Sequence, residues 1–86
     1  PHMGWNGIRP AMIGGSSPIL RDLPDIPDFY FVHSYFAECC PATVATCDYV
    51  QPFSACLQSG NFFGTQFHPE KSGDTGEILL RNFLQL

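Results

Sequence analysis

A single stretch of this chain has helical periodicity, and it lies at the C-terminal end of the sequence. Apolar residues recur at helical spacing from Ile78 to Leu86, and Asp74 with Glu77 three residues later resembles a capping box. The other apolar runs are short and typical of strands. The pattern predicts part of an α/β unit, with a strand-rich sheet and a C-terminal helix. Because one helix covers only one face of a sheet, we expect another protein segment or a partner to cover the other face.

Aromatic and apolar runs predict four strands, at 29–36, 43–49, 53–58 and 61–67. Alternation in 43–49 favours a half-buried strand, and Ser59-Gly60 is a plausible hairpin turn between the last two strands. Pro69 ends the sheet pairing. Most of the prolines lie in residues 1–28, which we therefore expect to be loop with one short strand near 8–12.

Composition narrows the classes of partner. Hydrophobic residues make up 44% of the 86 residues and charged residues only 14%, with a net charge of −4. The acidic balance argues against a nucleic-acid partner, and no apolar run is long enough to span a membrane. A small domain normally carries about a quarter charged residues, so we expect much of this surface to be covered by protein.

Four cysteines raise the question of disulfides or a metal site. They are Cys39, Cys40, Cys47 and Cys56, with no Cys-x-x-Cys pair, which gives poor support to zinc. Two of them lie in apolar, strand-like runs, where a free thiol behaves as a small hydrophobe. We expect reduced, structural cysteines.

His68 and Glu70 are the residues with the clearest chemical potential. Separated by Pro69 at the end of a strand, their side chains point to the same side. A carboxylate there accepts the imidazole Nδ1–H and leaves the other ring nitrogen free to take a proton from a nucleophile. By themselves, however, two such residues are more typical of a surface His–Glu pair without a function.

Longer motifs favour the catalytic interpretation. GTQFHPEKSG at 64–73 resembles the His-Glu signature of class I, triad-type glutamine amidotransferases. PHMGWN at 1–6 and YFVHSY at 30–35 resemble, more narrowly, the glutaminase subunits of imidazole glycerol phosphate synthase. The resemblance extends over essentially the whole chain. It also indicates that Pro1-His2-Met3 is native sequence and not the remnant of a cleaved tag.

The resemblance implies an α/β fold and a cytoplasmic enzyme of histidine biosynthesis with no metal or organic cofactor. Glutamine would be hydrolysed by a Cys-His-Glu triad, and the ammonia would pass to a cyclase partner that is a (β/α)₈ barrel. His68 would be the base and Glu70 its orienting carboxylate, while Ser34 and Tyr35 would line the glutamine site. The residues that match partner-facing positions are Met3, Trp5, Asn6, Tyr30 and Lys71.

The family's nucleophile is a cysteine in a G-x-C-x-G turn, and no cysteine here has glycines at that spacing. Residues 1–86 are therefore expected to be the C-terminal portion of one amidotransferase domain, inactive in isolation, from a separate subunit that ends near Leu86. Two alternatives remain. One is the glutaminase part of another class I amidotransferase, such as anthranilate, guanylate or CTP synthase; the other is a non-catalytic fragment that only binds a partner.

Overall fold

Two antiparallel sheets and a C-terminal helix form the part of the chain that the computed structural model describes, residues 1–11 and 17–86. The smaller sheet pairs β1 with β3, and the larger has the order β2-β4-β5-β6. The strands are β1 His2–Gly7, β2 Arg9–Pro10, β3 Asp28–His33, β4 Thr43–Tyr49, β5 Gln51–Ser59 and β6 Phe62–Thr65, and the helix is α1 Gly73–Leu84. Short 3₁₀ turns lie at Pro18–Leu20 and Pro69–Lys71. This confirms the predicted α/β class.

Phenylalanines join the two sheets into one core. Phe29 and Phe31 on β3 are completely buried, and Phe29 stacks on Phe67 with ring centroids 4.0 Å apart. Phe31 packs edge-to-face on Phe53 of β5, at 5.8 Å. Burying each such side chain stabilises the fold by about 2 kcal/mol. Leu79 anchors α1 to this cluster.

The predicted strands are found, with shifted ends. The 43–49 strand is confirmed in its bounds, but Thr43, Val44 and Ala45 in succession are buried, so its first half is covered on both faces. β3 ends at His33, because the chain bends at Ser34. The hairpin turn is at 60–61, one residue later than predicted, and Gly60 supplies its positive φ of 58°.

The prediction of loop at the start of residues 1–28 is wrong, because β1 forms at His2–Gly7. The prolines that suggested loop lie outside β1, and Pro10 is in β2, an edge strand where a missing N–H costs no pairing. β2 lies within the predicted strand near 8–12, whereas residue 12 lies outside the described residues. Along the described chain, no helix is long and apolar enough to cross a membrane.

The predicted helix is confirmed, but its N-cap is Ser72 and not Asp74, which lies in the first turn. The shift follows from the preceding residues. The 3₁₀ turn at Pro69–Lys71 leads directly into α1, and Gly73, with φ of 59°, makes the change of direction that a side chain would resist. The helix therefore begins immediately after the turn that carries Glu70.

Gly76 lets α1 lie against that turn. A Cβ at Gly76 would lie 1.9 Å from the carbonyl oxygen of Pro69, an impossible contact that only a backbone shift relieves. We predict that Gly76→Ala lowers the free energy of unfolding by about 3 kcal/mol, although alanine in an unconstrained helix would raise it by about 1 kcal/mol. Chemical denaturation followed by circular dichroism measures the change.

Gly64→Ala is the matched control, because a Cβ at Gly64 has no atom within 4 Å and the residue has no positive φ. A Gly76→Ala protein as stable as the wild type would show that α1 does not pack closely against the Pro69–Lys71 turn.

Candidate functional site

The site is centred on His68, which follows β6 and precedes the Pro69–Lys71 turn. Its Nδ1 lies 3.1 Å from Oε2 of Glu70, the contact that the sequence predicted. Pro69 fixes the backbone between them, and the 3₁₀ turn brings the carboxylate back toward the ring. The two side chains are 39% and 60% exposed, so the pair is accessible from one side.

A buried hydroxyl holds the backbone of His68 in place. The His68 N–H donates to the carbonyl of Tyr30 on β3, at 2.9 Å. Ser72 Oγ donates to the His68 carbonyl at 2.6 Å and accepts from the Tyr30 N–H at 2.9 Å. Three hydrogen bonds thus attach the His68 segment to β3, one of them directly and two through Ser72, which is 1% exposed.

Sequence reasoning missed Ser72 as a part of the site. Its only signal was its position in the motif, directly after Lys71, where it resembled an ordinary residue before a helix. The structure gives its hydroxyl two backbone partners, His68, which is 4 residues away in sequence, and Tyr30, which is 42 residues away. The spacing of residues within a motif does not reveal a contact with a residue as distant in sequence as Tyr30 is from Ser72.

Electrostatics favour an ionised Glu70. The hydrogen bond from its own backbone N–H, followed by the one from the His68 side chain, lowers the pKa of the Glu70 carboxyl below its usual value. Glu70 is therefore a carboxylate at neutral pH and accepts the Nδ1–H of His68. Nε2 of His68 makes no hydrogen bond within the described residues, so its lone pair is available to take a proton.

The two buried cysteines are not placed to serve as the nucleophile. Cys47 and Cys56 are buried, and burial raises the pKa of the Cys47 thiol to about 11 and that of Cys56 to about 12. Cys40 is engaged with the Thr43 hydroxyl, and Cys39 is exposed. Thiols with such raised pKa values are inert. In residues 1–11 and 17–86, no three His, Cys, Asp or Glu side chains are grouped to hold a metal ion.

Four of the predicted partner-facing residues lie around one surface. The β1–β3 register sets Met3 opposite Val32 and Trp5 opposite Tyr30, and such pairs share a sheet face. Met3 is 73% exposed and Trp5 54%. We call Met3, Trp5, Tyr30 and Val32 the outer strand face. Lys71 is exposed on the turn that follows His68, and the Trp5 ring reaches Gly73 at the start of α1.

Asn6, the fifth residue predicted to face a partner, does not lie on the outer strand face. Side chains alternate along a strand, so Asn6 points to the inner face of β1, where its Nδ2 lies 2.6 Å from Nε2 of His2. Ser34 and Tyr35 are exposed just after β3 and make no hydrogen bond with His68 or Glu70 in the described structure. His33, the last residue of β3, has its Nδ1 3.0 Å from the Tyr35 carbonyl oxygen.

Known proteins resemble this chain along its whole length. All of residues 1–86 match the sequence model of the glutamine amidotransferase class-I family. The imidazole glycerol phosphate synthase subunit HisH of Pasteurella multocida is 51% identical over 85 residues, covering 99% of this chain and 41% of that protein. The subunits of the same name from Yersinia pseudotuberculosis and Bacteroides thetaiotaomicron are 49% and 50% identical, covering 100% of this chain and 42% of each relative.

This chain therefore spans about two fifths of the length of the relatives it matches. A match along its whole length, together with about half of its residues identical to theirs, decides the family. The chain belongs to the class-I glutamine amidotransferase family.

Proposed function

We propose that this chain is the C-terminal portion of a glutaminase domain and supplies the base and the orienting carboxylate for hydrolysis of glutamine. The observation that carries the proposal is the 3.1 Å contact between His68 Nδ1 and Glu70 Oε2, on an accessible turn fixed to β3. The match to imidazole glycerol phosphate synthase subunits supports ammonia delivery to histidine biosynthesis as the role of the whole protein.

His68 is the proton carrier in this mechanism. Glu70 holds the tautomer with hydrogen on Nδ1, so Nε2 takes the proton of a cysteine thiol supplied by the rest of the protein. The thiolate attacks the side-chain amide carbon of glutamine. The His68 imidazolium then protonates the amide nitrogen, the C–N bond breaks, and ammonia leaves a γ-glutamyl thioester.

Water completes the cycle. His68, neutral again, accepts a proton from water as the oxygen attacks the thioester carbon, and the returning proton regenerates the thiol with release of glutamate. The Glu70 carboxylate stabilises each imidazolium and remains ionised throughout. Ser34 and Tyr35, exposed after β3, hold the α-carboxylate and amino end of glutamine, partly through backbone groups.

The outer strand face is the proposed contact with the cyclase. It exposes two large apolar side chains, Met3 and Trp5, and the Trp5 ring reaches Gly73, two residues after the exposed Lys71. Tryptophan is enriched among the residues that contribute most to interfaces, and a rim lysine pairs with a carboxylate of the partner. This surface adjoins the turn that carries His68, so ammonia is released close to the partner.

We predict that His68→Ala, in the full-length protein with its cyclase, lowers glutamine-dependent turnover about 10³-fold or more because no base remains for the thiol. Turnover with added ammonium chloride should be unchanged, since ammonia then bypasses hydrolysis. Steady-state formation of imidazole glycerol phosphate with either nitrogen source measures both. Equal loss of the two activities would point to a folding role for His68 and contradict the proposal.

Glu70→Gln provides a finer comparison, with Glu77→Gln as its control. Both are exposed glutamates, but Glu77 pairs with Arg81 on α1 and not with a histidine. Only Glu70→Gln should reduce glutamine-dependent turnover, by about 10²-fold, because a neutral amide does not stabilise the His68 imidazolium as the carboxylate does.

The isolated 86-residue chain should release no glutamate from glutamine, because its buried thiols cannot be activated and none lies in a nucleophile turn. A coupled glutamate dehydrogenase assay on the purified chain tests this. Hydrolysis that disappears on His68→Ala would mean that the nucleophile is within these residues.

Trp5→Ala should raise the dissociation constant of the full-length protein for the cyclase about 30-fold, because the complex loses a large side chain that the proposed interface would bury. Isothermal titration calorimetry measures it. Val50→Ala serves as the control, since Val50 is 99% exposed at the tip between β4 and β5. An unchanged dissociation constant for Trp5→Ala would remove the outer strand face from the interface.

A further inference from the structure

A line of four polar groups runs along the inner side of the small sheet. Asn6 Nδ2 lies 2.6 Å from His2 Nε2, and His2 Nδ1 lies 3.0 Å from His33 Nε2. His33 Nδ1 in turn lies 3.0 Å from the Tyr35 carbonyl oxygen. The cross-strand pairing of His2 with His33 brings these groups together, although they come from β1, β3 and the segment that follows β3.

The carbonyl end sets the direction of every hydrogen bond. A carbonyl oxygen only accepts, so His33 carries its proton on Nδ1, and its Nε2 is an acceptor. His2 must then donate from Nδ1, which makes its Nε2 the acceptor of the Asn6 amide N–H. One assignment of two neutral rings therefore satisfies all four groups, with Asn6 as the first donor and Tyr35 as the last acceptor.

The surroundings hold the His2 ring in this state. His2 is 3% exposed and is sandwiched between Phe31 and Tyr49, with ring centroids 4.7 and 3.9 Å away. Burial, and next the proximity of His33, lower the pKa of His2, which keeps it neutral at pH 7. A ring fixed by stacking on both sides offers its Nδ1–H in one direction only, toward His33.

We infer that His33 is a positioning residue, which His2 and Asn6 hold in a single tautomer and which fixes the backbone of the Ser34–Tyr35 segment through the Tyr35 carbonyl. The inference rests on the proposed function, because that segment is the proposed glutamine site. The Tyr35 side chain is 89% exposed, so side-chain packing does not hold the segment on that side. The bond from His33 is what sets the Tyr35 carbonyl, and with it the path of the backbone toward substrate.

β1 carries side chains of this hydrogen-bonded series on one face and residues of the outer strand face on the other. His2 and Asn6 point inward and alternate with Met3 and Trp5, which point to the outer strand face. The glutamine segment and the partner surface are thus joined by one strand and two imidazole rings.

Kinetics of the full-length protein with its cyclase test the inference. His33→Phe keeps an aromatic ring but removes the donor to Tyr35, and we expect the KM for glutamine to rise about tenfold while kcat stays within about threefold. His33→Asn should restore KM to within about threefold of wild type, because its Nδ2 takes the place of Nδ1 and donates to the same carbonyl. Ammonia-dependent turnover should be equal in all three proteins.

Three kinetic results would overturn the inference: an unchanged KM for His33→Phe, no rescue by His33→Asn, or a loss of ammonia-dependent turnover that shows a general folding defect. Side-chain ¹⁵N NMR gives a readout that does not depend on glutaminase activity. It should show protonated Nδ1 and unprotonated Nε2 on both His2 and His33. A proton on Nε2 of His33 would also overturn the inference. If the spectra are as expected but the wild-type protein has no glutaminase activity, only the proposed function is refuted.

Discussion

The buried hydroxyl of Ser72 connects the parts of this structure that the candidate site requires. It donates to the carbonyl of His68 and accepts from the N–H of Tyr30, so it links the turn after β6 to the middle of β3. Leaving either backbone group without a partner in the interior would cost about 1–3 kcal/mol. The position of His68 is therefore determined by β3 as much as by its own motif.

β3 organises the rest in the same way. Its inward side chains, Phe29 and Phe31, build the core, and its outward Tyr30 lies beside Trp5 at 5.9 Å. Its last residue, His33, bonds the backbone of the segment that follows it. One six-residue strand thus touches the turn that carries His68, contributes to the outer strand face and leads into the proposed substrate segment, and the spacing between them is fixed by strand geometry.

Local signals in the sequence were sufficient for features that depend on neighbouring residues. The His68–Glu70 contact needs only a proline between two side chains, and the helix needs only its periodicity. Features that depend on distant partners were not predictable in this way. Ser72 acquires its role from Tyr30, and the N-terminal strand exists because it pairs with β3, against the local signal of nearby prolines and glycines.

The catalytic, substrate and partner roles themselves stay predictions, because they concern atoms beyond these residues. A chimera measures the central claim directly. This chain would replace the matching 41% of the Pasteurella multocida subunit, and the rest of that subunit would be kept. We predict that the chimera, with the Pasteurella cyclase, uses glutamine at a rate within about tenfold of the parent. A folded chimera that binds the cyclase and uses ammonia but not glutamine would contradict the claim that this chain supplies a functional base and its carboxylate.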